Sequence, residues 1–241
     1  MAARGIFLTG TDTGAGKTLV SCAILGALRR RGLRVAAYKP VETGCRAQAG
    51  ALVGEDCERL AVAAGGGQGA ADVAAYLFTE PAAPLVAAEA EGRTIDREVL
   101  LARFDEIARG ADFVLVESAG GLMVPLADGY TTRDLARELG LPAVCVVASR
   151  LGCINHALLT VQVLRSSDVA VAGFIMNTVS RDEDHALAMR TNRDVIGRFA
   201  AAPDLGAMPF VESGHRDDME QLAALAALHL DLDAVVGKPA N

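Results

Sequence analysis

Gly10-Thr11-Asp12-Thr13-Gly14-Ala15-Gly16-Lys17-Thr18 carries the pattern GxxxxGK[ST], directly after an apolar run and at the start of a helical one. A loop of this kind holds phosphate. Its glycines let backbone N–H groups close around the oxygens, and the N-terminus of the following helix adds a positive dipole. Lys17 is placed to reach β- and γ-oxygens, and Thr18 to ligate Mg²⁺. The expected nucleotide contacts run through Thr13, Gly14, Ala15, Gly16, Lys17, Thr18 and Leu19.

What is done with that phosphate must come from other residues. Glu117 ends the run Val114-Leu115-Val116-Glu117 before Ser118-Ala119-Gly120-Gly121. A carboxylate at a strand tip beside the phosphate loop can hold Mg²⁺ or its water, and the glycines, Gly120 among them, allow close approach to a γ-phosphate. Lys39 ends a second apolar run and precedes Pro40, which biases it to an extended conformation along the sheet edge. A second lysine there would stabilise charge during phosphoryl transfer. Asp56, in Gly54-Glu55-Asp56-Cys57, reads equally as a helix N-terminal acid or as a second metal carboxylate.

These residues need a scaffold that brings distant segments to one edge. Short apolar runs at Ile6–Thr9, Val35–Lys39, Phe113–Glu117, Ala143–Ala148, Val171–Met176 and Gly206–Pro209 are expected strands. Between them lie helical periodicities: Val20, Ala23, Ile24, Ala27 and Leu28 fall on one face, as do Ile154, Leu158, Val161 and Leu164. Strands apolar on both faces and separated by helices mean a mostly parallel, doubly wound α/β sheet covered on two sides, a P-loop NTPase-like fold. Residues 40–54 and 63–71 are expected to be loops, the first a site candidate at the edge where open α/β sheets bind ligands, the second a flexible connector. Met219–Leu230 reads as a packing helix.

The 241 residues suffice for one domain spanning 1–241, large enough to bury roughly 70% of its unfolded surface. With 23 Lys+Arg against 30 Asp+Glu, a net charge of −7 argues against a protein whose main partner is nucleic acid. The five cysteines, Cys22, Cys45, Cys57, Cys145 and Cys153, are an odd number without CxxC spacing, as expected of reduced thiols packed as small hydrophobes in a cytoplasmic protein. No signal peptide is expected, and no apolar run approaches the roughly 18 residues of a membrane span.

Taken together, GTDTxxGKT, YKPVxTG, the Asp56 segment, VExAGG, Leu151-Gly152-Cys153-Ile154-Asn155-His156-Ala157 and Gly173-Phe174-Ile175-Met176-Asn177 resemble the dethiobiotin synthetase family in order and spacing, from about residue 5 to residue 212. That resemblance implies an ATP-dependent ring closure: one amine of 7,8-diaminononanoate takes up CO₂ as a carbamate, the carbamate attacks the γ-phosphate, and the second amine closes a ureido ring. It implies Lys17, Lys39 and Thr43 as catalytic residues, Thr18, Asp56 and Glu117 as Mg²⁺ ligands, and Thr11, Lys39, Thr43 and Gly120 as substrate contacts. By the same resemblance Leu151, Gly152, Cys153, Ile154 and Asn155 receive the substrate carboxylate from the partner subunit of a homodimer. Asn155 also reads as a helix N-cap. Asn177 can pair with an adenine edge, and Pro209, Val211 and Glu212 complete the base pocket by resemblance.

The chain departs from the family pattern at Ser118, where Gly is common, and this is expected to crowd the γ-phosphate side. Leu85, Ala188 and Gly14 also differ from residues found in some members. Two rivals share the fold. A ParA/MinD-like ATPase switch would carry an extra lysine where this chain has Asp12, and a cobyrinate-type synthetase would normally continue into a glutaminase domain that 241 residues cannot hold.

Overall fold

A computed structural model describes residues 4–181 and 186–237. Six parallel strands form the central sheet: β1 (Gly5–Gly10), β2 (Val35–Tyr38), β3 (Phe113–Glu117), β4 (Ala143–Ala148), β5 (Val171–Asn177) and β6 (Asp204–Met208), in the spatial order β6-β5-β4-β1-β3-β2. The strand expected to reach Lys39 stops at Tyr38, because Pro40 follows and the Lys39 N–H turns to the Val73 carbonyl at 2.9 Å. The last strand lies two residues earlier at its start than its apolar pattern suggested.

Successive residues of each strand face opposite layers. Ile6, Leu8, Ala37, Leu115, Val144, Val146 and Ile175 face helices α1 (Lys17–Arg30), α2 (Glu55–Ala64) and the C-terminal helix Met219–His229. Phe7, Tyr38, Val114 and Val116 face the helix Arg97–Ala108, while Cys145, Val147, Phe174 and Met176 face α3 (Cys153–Ser166) and α4 (Ala186–Phe199). The expected doubly wound sheet is therefore the observed one.

Helix α1 is more deeply set than a one-sided stripe requires. Ser21, Cys22, Leu25 and Gly26 are buried along with Val20, Ala23, Ile24, Ala27 and Leu28, since α2 and the C-terminal helix flank it over the sheet. A Cβ on Gly26 would stand 3.0 Å from that of Ala223, so the glycine permits the close approach of the two helices. All five thiols are buried and unpaired, and burial raises Cys45 to about 11 and Cys145 to about 12, which keeps them protonated.

Both expected loops carry more structure than their glycines suggested. Within 40–54, Val41–Glu42 pairs with Tyr76–Leu77, and Arg46–Gln48 forms a hairpin with Ala51–Val53. The 63–71 connector is pinned. Gln68 accepts from the Ala37 N–H at 3.0 Å and donates to the Ala37 carbonyl at 2.7 Å, supplying through one amide what a seventh strand would supply. This covers the open edge of β2, which would otherwise invite pairing with another chain. Replacing Gln68 by Ala would leave the buried Ala37 amide unpartnered, so the urea midpoint of Gln68→Ala should fall by the equivalent of about 1–3 kcal/mol; an unchanged midpoint would show that water replaces the side chain at no cost.

Candidate active site

The parallel register fixes the centre of the site. Leu8 pairs with Glu117 and Tyr38 with Val116, so β1, β3 and β2 end side by side, delivering the phosphate loop, Glu117 and Lys39 to the same edge. Gly16 has a φ of 78°, and a Cβ there would lie 2.1 Å from Asn177 Nδ2; the loop closes only because that position is glycine. Asn177 Nδ2 donates to the Ala15 carbonyl at 2.9 Å and the Thr11 N–H to the Val146 carbonyl at 3.0 Å, tying the loop to β5 and β4. One donor of the Asn177 amide expected to face adenine is thus spent on the phosphate loop.

Glu117 is fully buried, not a solvent-facing strand end. Its Oε1 accepts from Thr18 Oγ1 at 2.8 Å and from Lys39 Nζ at 2.7 Å, and its Oε2 accepts from Ser21 Oγ at 2.7 Å. Lys39 also donates to Asp56. Both readings of Asp56 therefore meet in one residue: it lies in the first turn of α2 and joins the ion pair. Burial alone would favour the neutral amine of Lys39, but Glu117 and Asp56 outweigh it and hold its pKa above the ordinary lysine value. For Asp56, burial acts against ionisation, yet the charge and hydrogen bond of Lys39, with help from Thr18 and Arg59, bring its pKa below the usual carboxylate value. Lys17 goes the other way. Burial lowers it, Glu117 only partly compensates, and the like charge of Lys39 adds to the lowering.

Helix α2 starts at Gly54 without a side chain to cap it. Glu42 caps it from a distance: its carboxylate accepts the N–H groups of Asp56 and Cys57 at 2.9 Å each, and a Cβ on Gly54 would collide with it at 2.2 Å. Neither Glu42 nor Ser21 was singled out from sequence. Ser21 was findable, since it follows Thr18 by three residues on one helix face; Glu42 was not, because its partners are set by the chain path.

Lys17, Thr18, Lys39, Glu42, Asp56 and Glu117 line one cavity of about 790 Å³. Its wall takes in Thr13, Gly14, Gly16, Lys17, Thr18 and Leu19 from the phosphate loop, Lys39, Thr43, Asp56, Glu117 and Gly120 around the ion pair, and Asn177 and Val211 at the far end. Arg59 and Arg216, which sequence reading passed over, line it too. Thr11, Ala15, Pro209 and Glu212 do not; Glu212 pairs with Arg181 at 2.8 Å, and that guanidinium lies 5.3 Å over the Phe210 ring. Ser118 does not crowd the cavity either. It is buried beneath it and donates to the Gly120 carbonyl at 2.7 Å. Asp12, at the position that separates this chain from the ParA/MinD pattern, pairs with Arg150 while its carbonyl accepts from Lys17 Nζ at 3.3 Å. Leu85 is not part of the wall, whereas its neighbours Pro81, Ala82, Ala83 and Pro84 are; Ala188 lies in α4.

The segment Leu151–Asn155 does not line this cavity. Helix α3 begins at Cys153 with Gly152 at the cap position, φ 91°, so Asn155 is inside the first turn and does not serve as the N-cap. Asn155 instead borders a separate shallow groove with Leu158, Leu159, Gln162, Arg165 and Phe199.

The profile described as an AAA domain matches residues 4–215. A protein of Aromatoleum aromaticum named ATP-dependent dethiobiotin synthetase BioD is 42% identical over 92% of this chain and 96% of its own length. The chain belongs to the dethiobiotin synthetase family. A second protein so named, from Thermodesulfovibrio yellowstonii, is 35% identical over 96% of this chain and 98% of its length. Among solved structures, a ParA family ATPase from Chlorobium tepidum superposes with a TM-score of 0.57 at 14% identity, covering 94% of this chain and 93% of the other, a likeness of fold alone. Among the described residues no helix is long and apolar enough to cross a membrane.

The paired charges of Lys39 and Asp56 give this site an expected pH signature. A depressed Asp56 contributes stability that is present above the unfolded aspartate value of about 3.9 and is lost as pH falls through its lower folded value. The drop in urea midpoint from pH 6 to pH 3 should accordingly be smaller in Asp56→Asn than in the native protein; equal drops would mean that Asp56 carries no net linkage.

Proposed function

We propose that the protein carries out the ATP- and Mg²⁺-dependent carboxylation and ring closure of 7,8-diaminononanoate with CO₂, giving dethiobiotin, ADP and phosphate, as one cytoplasmic domain spanning residues 1–241. The observation that supports this reading best is the meeting of two lysines from separate elements, Lys17 and Lys39, with Thr18, Asp56 and Glu117 in one cavity. Phosphate holding alone needs only the first lysine. A second one, kept charged by two carboxylates, suits a reaction in which negative charge moves between two substrates.

These groups support the following sequence of steps. One substrate amine attacks CO₂ and loses a proton to give a carbamate. A carbamate oxygen attacks the γ-phosphorus as the bond to the ADP oxygen breaks, forming a carbamic-phosphoric anhydride. The second amine then attacks the carbamoyl carbon, phosphate departs with the bonding pair, and the amine proton leaves to solvent or phosphate. Lys17 holds the β- and γ-oxygens. An ammonium has three N–H donors; Lys39 spends two on Asp56 and Glu117 and keeps a third for the carbamate and the transferring phosphoryl group. Thr43 and Gly120 position the carbamate or diamine at the same end of the cavity, with Thr11 behind the loop. Asn177 and Val211 border the base, with Pro209 and Glu212 further out.

Mg²⁺ fits the donors present: Thr18 Oγ1 donates to Glu117, Asp56 and Glu117 both accept from Lys39, and all three side chains offer hard oxygens. Thr18, Asp56 and Glu117 would hold the ion, which would neutralise β- and γ-oxygen charge when bound.

A homodimer accounts for the apolar surface left open beside the Leu151–Asn155 segment. Leu151, Leu159, Leu187 and Phe199 are each more than half exposed on or next to α3 and α4. A partner seated there would cover them and bring its own Leu151–Asn155 backbone to the substrate carboxylate. A fully active monomer in sedimentation at assay concentration would refute the shared site; a Leu159→Glu variant is expected to be monomeric and to lose diamine affinity while still binding ATP.

The reaction is tested with purified protein, Mg-ATP, bicarbonate and the diamine, following phosphate release and the cyclic urea by mass. Diamine-dependent release with product is expected; release indifferent to the diamine would point to the ATPase switch instead. In Lys39→Ala, compared with the native protein at a temperature where both are folded, kcat should fall by roughly 10²–10³-fold with a much smaller change in ATP affinity. Equal losses in both would mean that Lys39 merely holds nucleotide.

A further inference from the structure

The nucleotide cavity has a cation in its wall that the phosphate motif does not include. Arg59 follows Asp56 by three residues in α2, so the two lie one turn apart on the same helix face. Its Nη2 donates to the Arg216 carbonyl at 2.6 Å, and Arg216 Nε in turn donates to the Val211 carbonyl at 3.3 Å, linking α2 to the segment at the far end of the cavity. Arg59 Nε is buried without a hydrogen-bond partner. Asp217 Oδ1 lies 2.9 Å from it but off the line of the N–H, and Asp217 is 79% exposed, so solvent screens that pair. A guanidinium has five N–H donors, and among the described residues only one bond to protein engages those of Arg59.

We propose that Arg59 is a nucleotide-binding residue that donates its spare N–H groups to the polyphosphate of ATP from the α2 side of the cavity. The inference rests on the ATP-dependent reading above and adds a contact to it. Charge supply is the first reason. Lys39 is already neutralised by Asp56 and Glu117, which among the described residues leaves Lys17 as the one lysine of the cavity wall without a carboxylate partner. Geometry is the second. A planar fork matches phosphate oxygens two at a time, and the carbonyl of Arg216 already holds this one in place, so less side-chain freedom is lost on binding. A brace between α2 and residues 211–217 would use the same carbonyl contact but would not require Arg59 to line the cavity with most of its donors unengaged.

Titration calorimetry with Mg-ATP and, separately, with magnesium tripolyphosphate distinguishes the two roles. Both should bind Arg59→Met roughly tenfold or more weakly than the native protein, because each loses charged hydrogen bonds. In Arg59→Lys, which keeps the charge and loses the fork, tripolyphosphate should still bind several-fold more weakly. Weaker ATP binding with unchanged tripolyphosphate binding would show a brace acting on the base end and would overturn the proposal, as would unchanged binding of both. Thermal unfolding of the ligand-free variants identifies any that fail to fold; if Arg59→Met does, Arg59→Lys decides alone by the same criterion. No diamine is present, so the result is independent of whether the ring-closing assay succeeds.

Discussion

Lys39 sits between Glu117, which is fully buried, and Asp56, which is two-thirds buried, and the surrounding fold is arranged to make that possible. Withdrawing such charges from water costs several kcal/mol per ion, and two carboxylates brought together repel each other as well. The ammonium offsets both terms, but only if it is delivered at hydrogen-bonding distance from both acids. Parallel register does this for Glu117, because β2 and β3 end one beside the other. The start of α2 does it for Asp56. A shift of one residue in either strand would turn Lys39 or Glu117 into the opposite layer and leave the other charge uncompensated.

Three acids crowd this edge, and each is accommodated differently. Glu42 accepts the exposed N–H groups of α2, where the helix dipole also favours negative charge. Glu117 takes two hydroxyl donors, Thr18 and Ser21, from successive turns of α1. Asp56 depends most on Lys39. The arrangement is hierarchical: Glu42 fixes the helix, the helix fixes Asp56, and Asp56 with Glu117 fixes Lys39. The net charge of −7 is thus spread over a surface of ordinary ion pairs while the site gathers cations from separate parts of the chain.

Much of this was legible in the amino-acid order. Strand and helix placement came from apolar runs and periodicity, and the phosphate loop, Lys39, Asp56 and Glu117 came from residue type at element ends. What the sequence hid has a common cause. Glu42, Gln68 and Asn177 act on backbone groups far along the chain, and no local spacing encodes such a bond. Glycines misled in the same way: the run around Gln68 looks flexible, yet a single amide pins it to Ala37, and the glycine at position 152 moves the start of α3 ahead of Asn155. Ser118 was misjudged because its backbone conformation, and hence the direction of its hydroxyl into the β1–β3 layer, is a property of the sheet.

The two lysines differ in what a ligand would give them. Lys17 is buried with too little opposing charge, so its pKa is lowered and arriving phosphate oxygens relieve a deficit. Lys39 is held above its ordinary value by partners it already has, and a ground-state phosphate adds little to it. In the proposed reaction, binding energy from Lys17 would therefore be realised as soon as nucleotide enters. Lys39 would gain only when further negative charge develops near its remaining N–H, as the proposed movement of a phosphoryl group between oxygens would require. An interaction that strengthens in the transition state raises turnover, whereas one complete in the ground state only tightens binding. The proposed division of labour between the lysines follows from their unequal supply of carboxylates, and so from the positions of Glu117 and Asp56.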